Sequence, residues 1–346
     1  TTGNYNVAIG QRALDSNTTG ANNVAVGKGA LDTNTTAHRS VAVGFEALKN
    51  SAVVGNSNAS NVGVGYQAGT SLTSGISNVF VGAHSGDATT SGGQNTALGL
   101  GSLGANTTAS NNTAVGYYAL TANTTGTRNT AVGESALVSN TTGVYNSATG
   151  YRTLYYNTTA DSNTGYGMQA LYQNTTGASN TAVGESSLYH NTTGSYNAAF
   201  GDNCLLTNTT GSHNHAVGRF ALKLNTSGTY NDAMGYAALE NNTTASYNVA
   251  IGGAALRANT TGANNTAVGY SSLLANTTGI VNTAVGATAL DANTTGGYNV
   301  AIGYAAMTAN TTGETNTAVG NNALLSNTTA SQNTGLGTNA MYANTT

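Results

Sequence analysis

The chain has 346 residues, of which only 6% are charged, whereas an ordinary soluble domain carries about 25%. It contains 46 Gly but no Pro or Trp, and its net charge of −3 gives no electrostatic reason to expect binding to nucleic acid or to an anionic membrane. The low charge excludes charge-driven disorder, and the single Cys204 excludes an internal disulfide.

The chain is built from a 17-residue repeat that begins within its first ten residues. The block Asn-Thr-Ala-Val-Gly at 112–116 recurs with variations, its Gly falling at 10, 27 and 44, then at 65 and every seventeenth position to 337, which makes twenty blocks. The one phase break, a spacing of 21 residues between Gly44 and Gly65, predicts a bulged-out loop around 45–65 and no domain boundary. A fixed period of this size predicts stacked units, so we expect one repeat solenoid spanning 1–346.

Each block alternates like a short strand of about five residues that ends at its Gly. The first residue is Asn in nineteen of the twenty blocks, with Ser40 as the exception, and the third is almost always Ala. Thr or Val and then Val, Ile or Leu occupy the other face, and neither face carries regular charge. Strands uncharged on both faces are usually covered on both. We therefore expect one face to pack within the coil and the other against an identical chain, and the pattern leaves open which face is which.

The remaining residues of each repeat close the coil. Leu or Met stands four residues after most of the Gly residues, as at Leu120, and its surroundings are compatible with a second strand or a single helical turn. Asn-Thr-Thr-Gly, as at 123–126, predicts a turn, because Asn bonds its own backbone and Gly accepts a positive φ. Seventeen residues are too few for a strand–helix–strand unit. They suit one coil of an all-β parallel β-solenoid (β-roll), and twenty coils would form a rod about 95 Å long.

Two related groups of proteins carry similar repeats. The Asn-Val-Ala-Ile-Gly blocks at 6–10 and 248–252 resemble the head repeats of trimeric autotransporter adhesins, which are parallel β-rolls in which three chains associate. The longer form, Asn-Thr-Ala-Val-Gly-Tyr-x-x-Leu followed by Asn-Thr-Thr-Gly, is similar to repeats of phage tail-fibre-like proteins that end in a self-cleaving chaperone domain. The resemblance covers essentially all of 1–346 and implies a trimeric fibre. The coil is a few residues longer than that of the adhesin heads, and no stalk, anchor or chaperone domain is recognisable.

The asparagines of the predicted turn form a column of sequons. Each begins an Asn-x-Thr or Asn-x-Ser motif, the acceptor sequence for N-linked glycan, and the column comprises Asn17, Asn34, Asn106, Asn123, Asn140, Asn157, Asn174, Asn191, Asn208, Asn225, Asn242, Asn259, Asn276, Asn293, Asn310, Asn327 and Asn344. One interpretation is a structural turn ladder. The other is Asn- or Thr-linked glycan on an extracellular fibre, although glycans on coils about 5 Å apart would crowd each other.

The strand asparagines are expected to form a second ladder. A buried Asn needs partners for its amide, and the identical residue one coil away supplies one, as for Asn6, Asn112, Asn214 and Asn316. Cys204 takes the place of a small residue in its repeat and is predicted to be buried like Ala.

No catalytic constellation is visible. His213 and His215 form a His-x-His pair that could share a metal, but we found no acidic residue in phase with it and expect no metal or cofactor site. The departures from the repeat are scattered rather than clustered as an active site would be, so we expect no enzyme; they include Asp161, Asp202, Asp232, Glu240 and His190.

Tyrosine recurs just before the strand asparagine, two residues ahead of the first residue of the predicted outer face. It is found there at Tyr5, Tyr145, Tyr196, Tyr230, Tyr247 and Tyr298. These side chains could stack on sugars or form a lateral packing stripe. A binding site should interrupt the repeat, and we expect such irregularity only at 45–65 and 83–94.

These observations together favour an extracellular fibrous structural protein. The predicted shaft self-associates as a trimer or filament, at a cell or virion surface, in a filament, surface adhesin or tail fibre. The alternative is a module that binds a cell-surface glycan or receptor through the repeated Tyr, Thr and Asn surface. The chain opens and stops within a repeat, at Thr1 and Thr346, and no run of about 18 apolar residues occurs. We therefore expect a segment of something longer, continued end to end and not inserted in a membrane.

Overall fold

The structure, a computed structural model, describes residues 2–53 and 58–345. Its regular elements in those ranges are all short β-strands, and no helix is present among them. The strands have three residues each, shorter than the five predicted. They are β1 (Val7–Ile9), β2 (Val24–Val26), β3 (Val41–Val43), β4 (Val62–Val64), β5 (Val79–Val81), β6 (Thr96–Leu98), β7 (Thr113–Val115), β8 (Thr130–Val132), β9 (Ser147–Thr149), β10 (Thr164–Tyr166), β11 (Thr181–Val183), β12 (Ala198–Phe200), β13 (His215–Val217), β14 (Asp232–Met234), β15 (Val249–Ile251), β16 (Thr266–Val268), β17 (Thr283–Val285), β18 (Val300–Ile302), β19 (Thr317–Val319) and β20 (Thr334–Leu336).

Two compact units divide the chain, unit 1 at Thr1–Thr176 and unit 2 at Gly177–Thr346. Unit 1 contains β1 to β10 and unit 2 contains β11 to β20. Within each unit every strand pairs in parallel with the equivalent strand of the next coil, residue for residue, as Ala114 pairs with Ala131. Parallel pairing at this one-coil offset is the β-solenoid that the 17-residue period predicts.

The 21-residue coil does not interrupt this ladder. β3 and β4 pair in register across the longer spacing, with Val41 opposite Val62 and Val43 opposite Val64. The four extra residues are therefore accommodated outside the strand ladder, as the sequence predicted. The centre of the predicted loop, residues 54–57, lies outside the described residues.

The strand face that points inward carries Asn and Ala. In the coil that begins at Asn112, the side chains of Asn112 and Ala114 are fully buried, whereas Thr113 and Val115 lie at the surface. Leu120 packs from the other side of the coil and is also fully buried, as the sequence predicted for this column. The interior of each coil is therefore narrow, with small strand residues facing one column of Leu.

The segment after each Gly is neither a second strand nor a helical turn. It is a run of turns in which left-handed backbone recurs at fixed places, as at Tyr118 (φ 52°) and Leu120 (φ 54°). Gly116, with φ 135°, begins the segment, and a Cβ built there would lie 2.5 Å from the carbonyl oxygen of Gly133. Gly is therefore required at this place, while Leu120 tolerates a left-handed φ that costs about 1–2 kcal/mol because its side chain fills the core.

Two neighbouring coils of unit 1 exchange large and small core residues. Phe80 occupies the strand position that is usually Ala, and its ring is fully buried. Gly69 and Gly86 stand where other coils have Leu, and a Cβ at either would come within 2.6 Å of the Phe80 ring. Leu72 in turn takes the place of a turn asparagine and is fully buried. Core volume is thus conserved between coils although the repeat pattern is broken, which agrees with the close packing of protein interiors.

Candidate functional site

A row of uncharged side chains covers the outward side of the strands. We number each coil from its strand asparagine, so that Asn112 is position 1 and Arg128 is position 17, and we call the side chains at positions 2 and 4 the outer strand face. Position 4 of unit 2 is apolar in all ten coils and never buried, comprising Val183, Phe200, Val217, Met234, Ile251, Val268, Val285, Ile302, Val319 and Leu336. Position 2, mostly Thr or Val, lies beside this apolar column, so the outer strand face carries little charge.

One His–Asp pair interrupts the outer strand face. His215 and Asp232 occupy position 2 of consecutive coils, and His215 Nδ1 lies 2.8 Å from Asp232 Oδ1. Our expectation that no acidic residue stands in phase with the His-x-His pair was therefore wrong, because Asp232 follows His215 by one full repeat. Shallow depressions of about 300 Å³ lie on either side of this pair, one lined by Val217, Met234 and Ile251 among others. Irregular surface is thus not confined to 45–65 and 83–94.

His213 does not join that pair in a metal site. Its ring lies at position 17, stacked between Tyr196 at 4.9 Å and Tyr230 at 4.7 Å between ring centroids. Among residues 2–53 and 58–345, no group of three or more His, Cys, Asp or Glu side chains is arranged to hold a metal ion.

The tyrosines at position 17 are exposed, and four rings of this column form one stack. Tyr230 and Tyr247 continue the stack of Tyr196 and His213, with centroids 5.3 Å apart and planes 4° apart. Rings that pack face to face in this way offer mainly their edges to solvent. Within this stack the geometry therefore favours the packing stripe over a platform for sugars.

The asparagines of the sequon column point into the coil. Fifteen of the seventeen are fully buried, and only Asn17 and Asn344 are partly exposed. Asn259 is typical, since its Nδ2 donates to Asn242 Oδ1 at 3.0 Å and to the Gly262 carbonyl at 2.9 Å. The turn ladder is therefore the interpretation that the structure supports for these side chains. A glycan on a buried Nδ2 would require this ladder to open, which argues against glycosylation at Asn34, Asn106, Asn123, Asn140, Asn157, Asn174, Asn191, Asn208, Asn225, Asn242, Asn259, Asn276, Asn293, Asn310 and Asn327.

The strand asparagines form the second ladder that was predicted. Asn112 Oδ1 accepts a hydrogen bond from the backbone N–H of Asn129 at 2.9 Å, and Asn112 Nδ2 donates to the Gly126 carbonyl at 2.9 Å. Asn6, Asn214 and Asn316 make the equivalent bonds. The amides of these four residues are thereby paired, which removes most of the penalty for burying such a group, whereas Asn333 Nδ2, in the last coil, has no hydrogen-bond partner.

The acidic departures from the repeat pair with the neighbouring coil. Asp161 accepts from the backbone N–H of Val144 at 2.7 Å, and Asp202 binds Arg219 Nε at 3.0 Å. Glu240 binds Arg257 Nε at 2.8 Å. These contacts join coils 17 residues apart, so the side chains act as links along the solenoid.

Cys204 is buried as predicted. Its Sγ donates to the Ala216 carbonyl at 3.2 Å, and burial raises the pKa of the thiol to about 12. The thiol is therefore protonated near neutral pH and unreactive.

An aromatic cluster in unit 1 was not anticipated from the sequence. Tyr155 and Tyr156 occupy positions 10 and 11 of one coil, Tyr172 occupies position 10 of the next, and Arg152 lies against Tyr155 and Tyr151. These five residues are called the aromatic cluster below. The signal available in the sequence was the Tyr-Tyr pair at two positions where most coils have small or polar residues.

Comparison with known proteins gives no family. No protein-family model matches the chain, and no curated protein matches its sequence significantly. In the part of the chain that the structure describes, no helix has the length and apolar character needed to cross a membrane.

Proposed function

We propose that the chain is the shaft of an extracellular fibrous structural protein, in a filament, surface adhesin or tail fibre, whose copies associate through the outer strand face. The observation that carries this proposal is the exposure of that face. Its position 4 column is apolar throughout unit 2, and side chains such as Ile251 and Ile302 are 40% exposed. Monomeric soluble proteins rarely leave continuous apolar patches larger than about 300–600 Å² open to water.

The size of the face suits a specific interface. Ten coils stacked at about 4.8 Å, with two columns of side chains each about 7 Å wide, cover roughly 700 Å² in each unit. Two copies facing each other over one unit would bury about twice that area, within the range of about 1,200–2,000 Å² that stable protein interfaces bury. A second copy also has the same axial period, so its side chains would meet this face in every coil.

The interior of each unit supports a mechanical role. Parallel strand pairing, the strand-asparagine ladder and the turn-asparagine ladder all run along the axis and link each coil to the next. Axial load would therefore be shared by several hydrogen bonds in every coil. The proposed fibre needs no reactive group, only repetition and a side surface through which copies associate.

Charge placed on the outer strand face tests the proposal. We expect Val268→Glu with Val285→Glu to convert the assembled parent into a monomer in sedimentation velocity, because carboxylates would be buried without partners. The matched control is Thr261→Glu with Thr278→Glu, which adds the same charge at exposed sites in the turns and should leave assembly unchanged. A parent that is monomeric, or a Val268→Glu and Val285→Glu variant that assembles like the parent, would refute the proposed self-association.

A further inference from the structure

The aromatic cluster lies apart from the outer strand face. Tyr155 and Tyr156 follow the buried Leu154, at the start of the turn that closes the coil, whereas the outer strand face of the same coil is Ser147 and Thr149. Tyr155 and Tyr156 therefore lie outside positions 2 and 4, through which copies are proposed to associate. The cluster also lies in the part of the chain that is richest in tyrosine, since five tyrosines fall between 151 and 172.

Tyr156 meets both of its neighbouring rings at steep angles, whereas Tyr155 and Tyr172 are inclined by only 30° with centroids 5.3 Å apart. The Tyr156 ring is inclined by 70° to that of Tyr155 and by 81° to that of Tyr172, with centroids 4.8 and 5.2 Å away. This differs from the parallel stack at position 17, in which each ring covers the next. Tyr156 is 44% exposed, so an aromatic surface remains for a ligand beside two further rings.

Arg152 adds a positive charge without a carboxylate partner. Its guanidinium carbon lies 4.9 Å from the ring centroid of Tyr151 and 5.6 Å from that of Tyr155. Arg219 and Arg257 bind carboxylates of neighbouring coils, but among the described residues Arg152 has no ion pair, and its Nε is buried without a hydrogen-bond partner. The tyrosines therefore hold the guanidinium in place while its charge is not neutralised.

We propose that the aromatic cluster binds an acidic saccharide. A pyranose ring presents an apolar C–H face that packs on tyrosine and hydroxyls that bond the phenol groups. A sugar carboxylate matches the planar fork of a guanidinium, which binds carboxylates through two parallel hydrogen bonds. A neutral sugar would use only the tyrosines, and a small inorganic anion would use only Arg152. The site thus takes a uronic-acid-containing glycan, a binding activity that goes beyond the structural role and does not depend on self-association.

Calorimetric titration of the full chain with tetragalacturonate, and with its methyl ester, tests this assignment. The ester keeps the sugar faces and removes the charge, so we expect saturable binding of the acid and at least tenfold weaker binding of the ester. Tyr156→Ala and Arg152→Gln should each weaken binding of the acid at least tenfold. Tyr298→Ala removes a tyrosine of unit 2 that is more exposed than Tyr156 and should leave binding of the acid unchanged.

Circular dichroism and amide hydrogen exchange of each variant would establish that the coils remain folded. Arg152→Lys should restore part of the affinity lost in Arg152→Gln, because it returns the charge but not the planar fork. Absence of saturable binding, equal binding of acid and ester, or an equal loss in Tyr298→Ala would overturn the proposal. None of these outcomes bears on assembly, which the charged variants of the outer strand face test separately.

Discussion

Removing one rung of the turn-asparagine ladder should have a large and local effect. Asn259 donates to Asn242 Oδ1 and to the Gly262 carbonyl, and its own Oδ1 accepts from Asn276 Nδ2 at 2.9 Å. Asn259→Ala abolishes all three hydrogen bonds in a fully buried site. At about 1 kcal/mol for each bond, and more where a buried partner stays unpaired, the loss is about 3–5 kcal/mol.

Asn259→Thr is the matched control, because the chain already uses Thr in this column. Thr89 occupies the same position and its Oγ1 accepts from Asn106 Nδ2 at 3.3 Å. The Thr variant keeps an acceptor for Asn276, so we expect a loss of only about 1–2 kcal/mol.

Native-state amide hydrogen exchange is the suitable assay, since stacked coils open locally and a single global free energy of unfolding is poorly defined for them. The amides of Leu256 and Leu273, which bond the next coil, should lose protection, while the amide of Leu324 should not. Equal protection in Asn259→Ala and Asn259→Thr, or a loss spread evenly to Leu324, would refute the reasoning.

Three further changes have defined outcomes. Val281 is a β-branched residue at φ 57°, so Val281→Asn should raise the local free energy of opening of its coils by about 1 kcal/mol in native-state amide hydrogen exchange. A lower free energy of opening would show that the packing of the Val281 side chain outweighs its backbone strain. Burial raises the pKa of Asp291, so the stability that this carboxyl contributes is present at low pH and is lost as pH rises through the folded pKa. Asp291→Asn should therefore stabilise the protein at pH 7 but not near pH 3, below the ordinary Asp pKa of about 3.9. Glu314→Gln, at an exposed site, should leave stability unchanged at both pH values. Phe80→Ala should cost about 3–5 kcal/mol, and Gly86→Leu should also destabilise, because a Cβ at Gly86 meets the Phe80 ring. The double variant restores the Ala and Leu that most coils have at these two positions, so it should lose less stability than the two single variants added together. Additive losses in a double-mutant cycle would contradict the exchange of volume between these positions.

Most of the fold could be predicted from the 17-residue period of the sequence. Identical residues at a constant spacing can all make the same contacts only if successive coils stack in register. The parallel pairing of Ala114 with Ala131 follows from this. The strand-asparagine ladder was predictable for the same reason. So was the burial of Leu120, the large apolar side chain outside the strand in its coil.

The inward face could not be predicted, because alternation has the same period on both sides of a strand. Hydropathy alone would place Val115 inside and Asn112 outside, yet the structure does the reverse. The narrow interior admits small residues beside the Leu column, and Asn becomes acceptable there because its neighbours along the axis complete its hydrogen bonds.

The burial of the turn asparagines and two contacts between neighbouring coils could not be predicted from the sequence motifs. The turn asparagines satisfy a glycosylation motif that makes no reference to burial, so the motif could not reveal that Asn259 faces inward. The pairing of His215 with Asp232 depends on a spacing of one repeat, and it becomes visible in the sequence only when coils are aligned by position. The aromatic cluster similarly requires Tyr156 and Tyr172 to be placed on adjacent coils.

The solution mass of the unmodified chain tests the central claim most directly. If the outer strand face joins copies of this chain, light scattering coupled to size exclusion at micromolar concentration should give an integral multiple of 34.4 kDa or a continuous distribution of filaments. A monodisperse particle of 34.4 kDa that persists as the concentration is raised would contradict the claim, because it would mean that this apolar face is stable in water without a partner.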